Sequence, residues 1–198
     1  MDAKLADRPE AAAAAVDVLV HGRAGADGVA STVSLVRDGA AVIVIDPGMV
    51  RDRREILDAL SSSGVDPTAV TDVVLTHHHP DHTVNIALFP EARVHDHWAI
   101  YHRDTWTDRA ADGFLLSPSV RLIATPGHTR QDITILAGTP DGIVAFTHLW
   151  WSAEGPDEDP LAEDMQALHA SRRRVLQVAD RVVPGHGSPF APGSTTPR

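Results

Sequence analysis

The chain contains no cysteine. Disulfides, thiolate metal ligands, iron–sulfur clusters and cysteine nucleophiles are therefore excluded. Basic residues are scarce: 17 Lys and Arg stand against 27 Asp and Glu, a formal net charge of −10 with His neutral. A polyanion must be neutralised by clustered Lys and Arg, so this balance argues against a nucleic-acid partner. No apolar run approaches the ~20 residues that a membrane-spanning helix needs. Residues 1–16 mix acids into their first ten positions and lack the basic flank and leucine-rich core of a signal peptide. A cytoplasmic protein with no membrane contact is expected.

What remains has an ordinary globular balance, 43% hydrophobic and 22% charged over 198 residues. One domain of this size buries about 70% of its unfolded surface and needs no metal staple to fold. Any metal is therefore better explained by function. Histidine is the outlier: there are 12, and four of them (His77, His78, His79 and His82) fall within six consecutive positions.

Strands are expected at Val16–His21, Ser31–Arg37, Ala41–Ile45, Asp72–Thr76, Arg93–His95, Val120–Ala124, Asp132–Leu136, Ile143–Thr147 and Val182–Val183, which are rich in β-branched residues. The run Val42–Ile45 is apolar without interruption, as a strand buried on both faces would be. A helix is expected over Val50–Ser63 with Ile56, Leu57 and Leu60 inward, and a helical turn over Thr83–Leu88. A second helix opens at Pro160, with Leu161, Met165, Leu168, Val175 and Ala179 on one packed stripe. Residues 98–118 read as loop with some helix. A single domain over 16–190 is expected, with a flexible lead-in (1–15) and a disordered tail (191–198). The order of elements is mixed α and β.

His77-His78-His79-Pro80-Asp81-His82 follows an apolar strand. In extended chain, residues two apart point to the same side, so His77 and His79 can converge on one ion. Pro80 keeps residue 79 out of helix and protects that geometry. Asp81 and His82 can face the same cavity from past the turn. His128 and His186 each follow a Pro-Gly turn at a strand end, a rigid way to present an imidazole at a sheet edge. Imidazole with carboxylate suits zinc first, with iron, manganese or nickel also accommodated.

With these residues in view, the chain resembles the metallo-β-lactamase-fold hydrolases. The resemblance rests on His77-x-His79-x-Asp81-His82, then His128 and His186, preceded by the strand ending Ile45-Asp46-Pro47-Gly48. It runs from about Val16 to Gly187, and Arg172–Gly187 with Thr125–Thr129 point to a narrower branch within it. The resemblance implies a four-layer αββα sandwich, two mixed sheets back to back with helices outside. It implies that His77, His79 and His128 hold a first ion, and Asp81, His82 and His186 a second. A metal-bridging hydroxide, its pKa lowered from ~16 towards ~7, would be the nucleophile. Asp81 would be the catalytic proton acceptor or orienting group, and Asp46 would steady the ligand loops from behind.

One position departs from that pattern. Where the family carries a metal-bridging Asp, this chain reads Thr147-His148, with no acid until Glu154. An imidazole cannot span two ions as a carboxylate does. Either one ion or a looser pair with His148 on one of them is expected, zinc first and iron or manganese as alternatives.

His95 and His97 are expected at the rim or surface, and Arg172–Arg174 on a solvated helix face. Tyr101 and His102 fall in the stretch where a substrate loop could sit. Trp150 and Trp151 are expected to wall an apolar pocket or pack in the core. The leading expectation is a metal-dependent hydrolase of an ester, thioester, lactone or related small molecule, that substrate being the expected partner. Two alternatives stand beside it: a phosphodiesterase or ribonuclease, implied by the narrower branch, and a degenerate metal-binding protein without turnover. The sequence leaves the oligomeric state open, a homodimer included.

Overall fold

A computed structural model describes residues 7–198. In chain order come β1 (Ala15–Val20), β2 (Arg23–Gly25), β3 (Gly28–Ala30), β4 (Val33–Asp38), β5 (Ala41–Ile45), α1 (Arg54–Ser62), β6 (Asp72–Val74), α2 (Pro80–Thr83) and β7 (Arg93–His95). They are followed by β8 (Ala99–His102), β9 (Thr105–Asp108), β10 (Leu115–Ser117), β11 (Val120–Ala124), β12 (Ile133–Thr139), β13 (Gly142–Thr147), α3 (Met165–Leu176) and β14 (Arg181–Pro184). One sheet has seven strands in the order β1-β4-β5-β6-β7-β8-β9, and a second has five in the order β10-β11-β12-β13-β14. Both are mixed: β5-β6-β7 and β13-β14 are parallel, and the other neighbours antiparallel. Parallel neighbours need a crossover. Here α1 connects β5 to β6 and α3 connects β13 to β14.

The strand faces show why this stacks as four layers. In β5, Ile43 and Ile45 join β13's Val144 and Phe146 in the core between the sheets. Val42 and Val44 point the other way, onto Ile56 and Leu60 of α1. In β13, Ile143 and Ala145 point outward onto Leu168 and Val175 of α3. The αββα sandwich expected from the sequence is thus the observed fold. Among the described residues no helix is long and apolar enough to cross a membrane.

Several expectations need correction. Residues 98–118 hold no helix; they form β8, β9 and β10, short strands whose residues are mostly half-buried or exposed. The hairpin β2–β3, not expected at all, stands apart as its own two-stranded sheet. The helix expected from Pro160 begins at Met165, because the Asp164 side chain caps it by accepting from Ala167 N–H at 2.9 Å. Leu161 is consequently off the packed stripe and 61% exposed. The lead-in and tail were expected to be loose. Residues 1–6 lie outside the described residues, but Ala11 N–H and Ala14 N–H donate to Pro118 and Gly138 carbonyls at 2.9 and 3.0 Å. In the tail, Trp150 Nε1–H donates to Pro197 O at 2.9 Å, and Thr196 is buried.

Candidate metal centre

The C-terminal ends of β5, β6, β11, β13 and β14 converge on one edge of the sandwich, and each is followed by a predicted site residue. Asp46 follows β5, His77 lies three residues beyond β6, His128 follows β11, His148 follows β13 and His186 follows β14. The two Pro-Gly-His turns are glycine turns because of what lies against them. A Cβ on Gly127 would come within 2.4 Å of Leu168 Cα, and one on Gly185 within 2.5 Å of the His148 ring. Close approach of backbone to ligand side chain is what brings His148 and His186 together.

The structure gathers all seven predicted donors. His77 Nε2 and His128 Nε2 each lie 3.0 Å from His79 Nδ1. Beside them, His82 Nε2 and His186 Nε2 each lie 3.5 Å from Asp81 Oδ2. Donors about 2.1 Å from a tetrahedral ion stand roughly 3.4 Å from one another, so both groups have the spacing of chelating sets. His148 Nε2 sits 3.0 Å from His186 Nε2. One ligand atom from each of His77, His128 and His148 lies within 4.8 Å of the others, and the same holds for His82, His148 and His186. His148 thus occupies the ground between the two groups.

The outer nitrogens decide where the protons sit. His82 Nδ1–H donates to Asp46 Oδ2 at 2.8 Å, and His186 Nδ1–H to the Ala30 carbonyl at 2.9 Å. His128 Nδ1–H donates to Asp159 Oδ2 at 2.7 Å. Thr76 hydroxyl donates to Asp46 Oδ2 at 2.7 Å, so its oxygen is left to accept from His77 Nδ1–H at 3.2 Å. Each of these imidazoles therefore turns an Nε2 lone pair inward, the tautomer a metal ligand requires. His82 Nε2 is buried with no hydrogen-bond partner among the described residues, as is His148 Nδ1. Such an orphan is costly unless something occupies the space it faces. The donor set therefore fits a metal ion.

Burial, and then the neighbouring imidazoles, push the His77 and His148 rings well below the ordinary histidine value. Burial shifts His79 and His186 in the same direction. Neutral imidazoles at neutral pH are available to bind cations. Asp46 is buried and holds the left-handed conformation at φ 50°, with Thr76 N–H donating to its Oδ1 at 2.7 Å. It ties β5 to the ligand turn, the position expected of it.

A cleft of about 230 Å³ opens over these donors, lined by His79, Asp81, His128, His148 and His186 with apolar walls from Ala24, Val29, Trp151 and Leu161. Among the described residues Asp81 is the one acid lining it. Ala24 and Val29 come from the β2–β3 hairpin, whose base is fixed where Thr32 N–H donates to Gly185 O at 2.8 Å. Trp151 is half-buried in the cleft while Trp150 is fully buried in the core, so the adjacent pair divides the two roles expected of it.

Two residues stand elsewhere than expected. His95 is buried, not at the rim, and its Nε2 lies 2.8 Å from the buried Asp72 carboxylate. Arg172 is fully buried instead of solvated; it donates to the carbonyls of Leu149, Pro156 and Asp157 at 2.9, 2.8 and 2.7 Å. Those carbonyls belong to the loop that carries Asp159, a site residue the sequence reading passed over. Asp159 sits in an acid-rich stretch with Asp157 and Glu158, and only its place before Pro160 sets it apart. His78 turns away from the donors, its Nε2 lying 3.0 Å from Asp96 Oδ2, and Tyr101 OH donates to the same oxygen at 2.7 Å.

A family model for the metallo-beta-lactamase superfamily matches residues 26–159. Metallo-beta-lactamase domain-containing protein 1 of Xenopus laevis is 35% identical over 80% of this chain and 71% of its own length. Its Homo sapiens counterpart is 41% identical over 75% of this chain and 59% of its own length. The narrower branch read from Arg172–Gly187 is the one these relatives represent. A metallo-beta-lactamase family protein from Thermus thermophilus superposes with a TM-score of 0.67 at 18% identity, covering 89% of this chain and 74% of that one. A dizinc quorum-quenching lactonase holding an acyl-homoserine product superposes at 0.59 with 19% identity, covering 79% and 72%. A protein solved in a di-iron-bound form does so at 0.64 with 21% identity, covering 87% and 94%. The chain belongs to the metallo-beta-lactamase superfamily.

Proposed function

We propose that this protein is a metal-dependent hydrolase of a small ester, thioester, lactone or related substrate. The observation that carries the reading is the convergence of unprotonated nitrogens and one carboxylate at the floor of a cleft with apolar walls. His77, His79 and His128 would hold one ion, and Asp81, His82 and His186 a second, with His148 between the two sets and its Nε2 3.0 Å from His186 Nε2. Zinc suits this mostly imidazole set, and iron or manganese are the alternatives. Bound ions supply Lewis acidity, which polarises a carbonyl and makes water a competent nucleophile at neutral pH.

The chain's own residues supply the rest. Asp81, as the one acid in the cleft, accepts the proton that the attacking water gives up. Trp151, Leu161, Val29 and Ala24 shed water from the apolar part of the substrate and hold it over the donors. Asp46, the Ala30 carbonyl and Asp159 keep the ligand rings turned inward. A shallower groove along Ser152, Glu154, Gly155 and Pro156 adjoins the cleft at Ala24, Trp151 and His186, and among the described residues neither lining contains Lys or Arg, which favours a small substrate over a polyanion.

A panel of esters, thioesters, lactones and phosphodiesters, assayed with and without chelator, tests the reading. Chelator-sensitive hydrolysis of a small acyl substrate supports it. Phosphodiester cleavage alone, or turnover that survives in both His79→Ala and His128→Ala, overturns it. The specific observation favouring a second reading, metal binding without turnover, is His148 itself. If His148→Asp creates hydrolysis where the natural protein shows none, the natural protein is a degenerate hydrolase.

A further inference from the structure

Asp159 has no place in the donor set, yet it is buried, with its carboxylate 1% exposed. It has three partners. Oδ2 accepts from His128 Nδ1–H at 2.7 Å and from Trp151 Nε1–H at 3.1 Å, and Oδ1 accepts from Leu161 N–H at 2.9 Å. Trp151 and Leu161 are both cleft walls. One carboxylate therefore holds a ligand ring from behind and, through its other bonds, both residues against which an apolar substrate would lie. Arg172 reinforces the arrangement by gathering the carbonyls of Leu149, Pro156 and Asp157. Hydrogen bonds from His128, the Leu161 backbone and Trp151 hold the Asp159 carboxyl below its ordinary value against the opposing effect of burial.

We propose that Asp159 is a positioning residue that locks His128 with its Nε2 lone pair inward and couples metal occupancy of the first donor set to the Trp151 wall of the cleft. The proposal rests on the reading of His77, His79 and His128 as metal ligands. An anionic acceptor on the far nitrogen of a ligand imidazole raises its basicity and fixes its orientation. Without it, the His128 proton is free to move to Nε2, where it faces His79 Nδ1 and blocks an ion. Because Trp151 shares the same oxygen, charge drawn from Asp159 by a bound cation changes the bond that the indole donates.

Two substitutions grade the effect. In Asp159→Asn the amide oxygen can take the Oδ2 place and keep both the His128 and Trp151 bonds, losing the charge and the Leu161 bond. In Asp159→Ala nothing holds the ring. Zinc affinity, measured by competition with a chromophoric chelator, should fall about 10-fold in the first and towards about 100-fold in the second. The melting temperature of the metal-free protein reports any general loss of structure. Zinc should also shift the tryptophan emission of the wild type, and Trp151→Phe should abolish that shift.

A graded affinity loss exceeding what the metal-free melting temperatures explain, together with the Trp151-dependent emission change, supports the proposal. Wild-type zinc affinity in both Asp159 variants overturns it, as does an affinity loss that merely follows the melting temperature, or an emission shift that persists in Trp151→Phe. A wild type that binds no zinc instead overturns the metal-ligand reading beneath it.

Discussion

Replacing Asp46 by asparagine separates the fold from the metal chemistry. The carboxylate accepts from Thr76 N–H at Oδ1, and from the Thr76 hydroxyl and His82 Nδ1–H at Oδ2, at 2.7, 2.7 and 2.8 Å. Asparagine offers one acceptor oxygen and one donor nitrogen. With the oxygen in the Oδ2 place, the amide N–H would press against Thr76 N–H, donor against donor in a buried site. The favoured orientation leaves the oxygen on Thr76 N–H and points the amide at the Thr76 hydroxyl and His82 Nδ1. The hydroxyl can turn and accept, but His82 can accept only by moving its proton to Nε2. That proton then faces Asp81 and His186, and the second donor set loses a ligand. Folding loses only charge assistance, about 1–3 kcal/mol. Affinity for the second ion should fall about 10–100-fold. Asp46→Ala is harsher, because it leaves three buried donors unpaired at about 1–3 kcal/mol each. Urea denaturation of the metal-free protein and stepwise zinc titration measure the two effects separately. An Asp46→Asn protein that binds its second ion with wild-type affinity refutes the tautomer argument.

Other consequences follow from the same structure. His79→Ala and His128→Ala should each abolish tight zinc binding while leaving far-UV circular dichroism unchanged, because neither ring belongs to a hydrophobic cluster. Arg172→Met leaves three loop carbonyls without their donor and should destabilise the protein in urea by about 1–3 kcal/mol for each carbonyl that stays out of water. Ile43→Ala, in the core between the sheets, should cost about 2–5 kcal/mol by the same measurement. Burial alone would raise the Asp96 carboxyl, but bonds from His78, Tyr101 and the Ala99 and Trp98 N–H groups hold it at about 2. A lowered carboxyl stabilises the fold above its unfolded value of about 3.9 and loses that contribution as pH falls towards the folded value. Asp96→Asn should therefore flatten the acid limb of stability between those limits, and an unchanged limb would contradict it.

The layers were legible because long β-branched runs with one or two apolar faces have few other ways to bury themselves. Val42–Ile45 reads as doubly buried, and it is. The donors were legible because His77-x-His79-x-Asp81-His82 and the Pro-Gly-His turns are local patterns. What escaped was set by tertiary context. β9 and the β2–β3 hairpin are short and largely exposed, and β8 is four half-buried or buried residues long, so no hydrophobic period marks them. Arg172 looks like its neighbours Arg173 and Arg174, and its burial depends on carbonyls from a loop 15 to 23 residues away in sequence. Asp159 is one acid among several, and its bond to His128 spans 31 residues. His95 was misplaced for the same reason, since Asp72 reaches it from 23 residues upstream.

The most direct test of the central claim is metal content per chain in the untagged protein, by elemental analysis after exhaustive dialysis and again after zinc saturation. The account predicts about one ion retained on the first donor set and a second, more readily lost, taken up at saturation, because an imidazole at position 148 cannot bridge two cations. A protein that retains and takes up no more metal than its His79→Ala, His128→Ala double variant would contradict it.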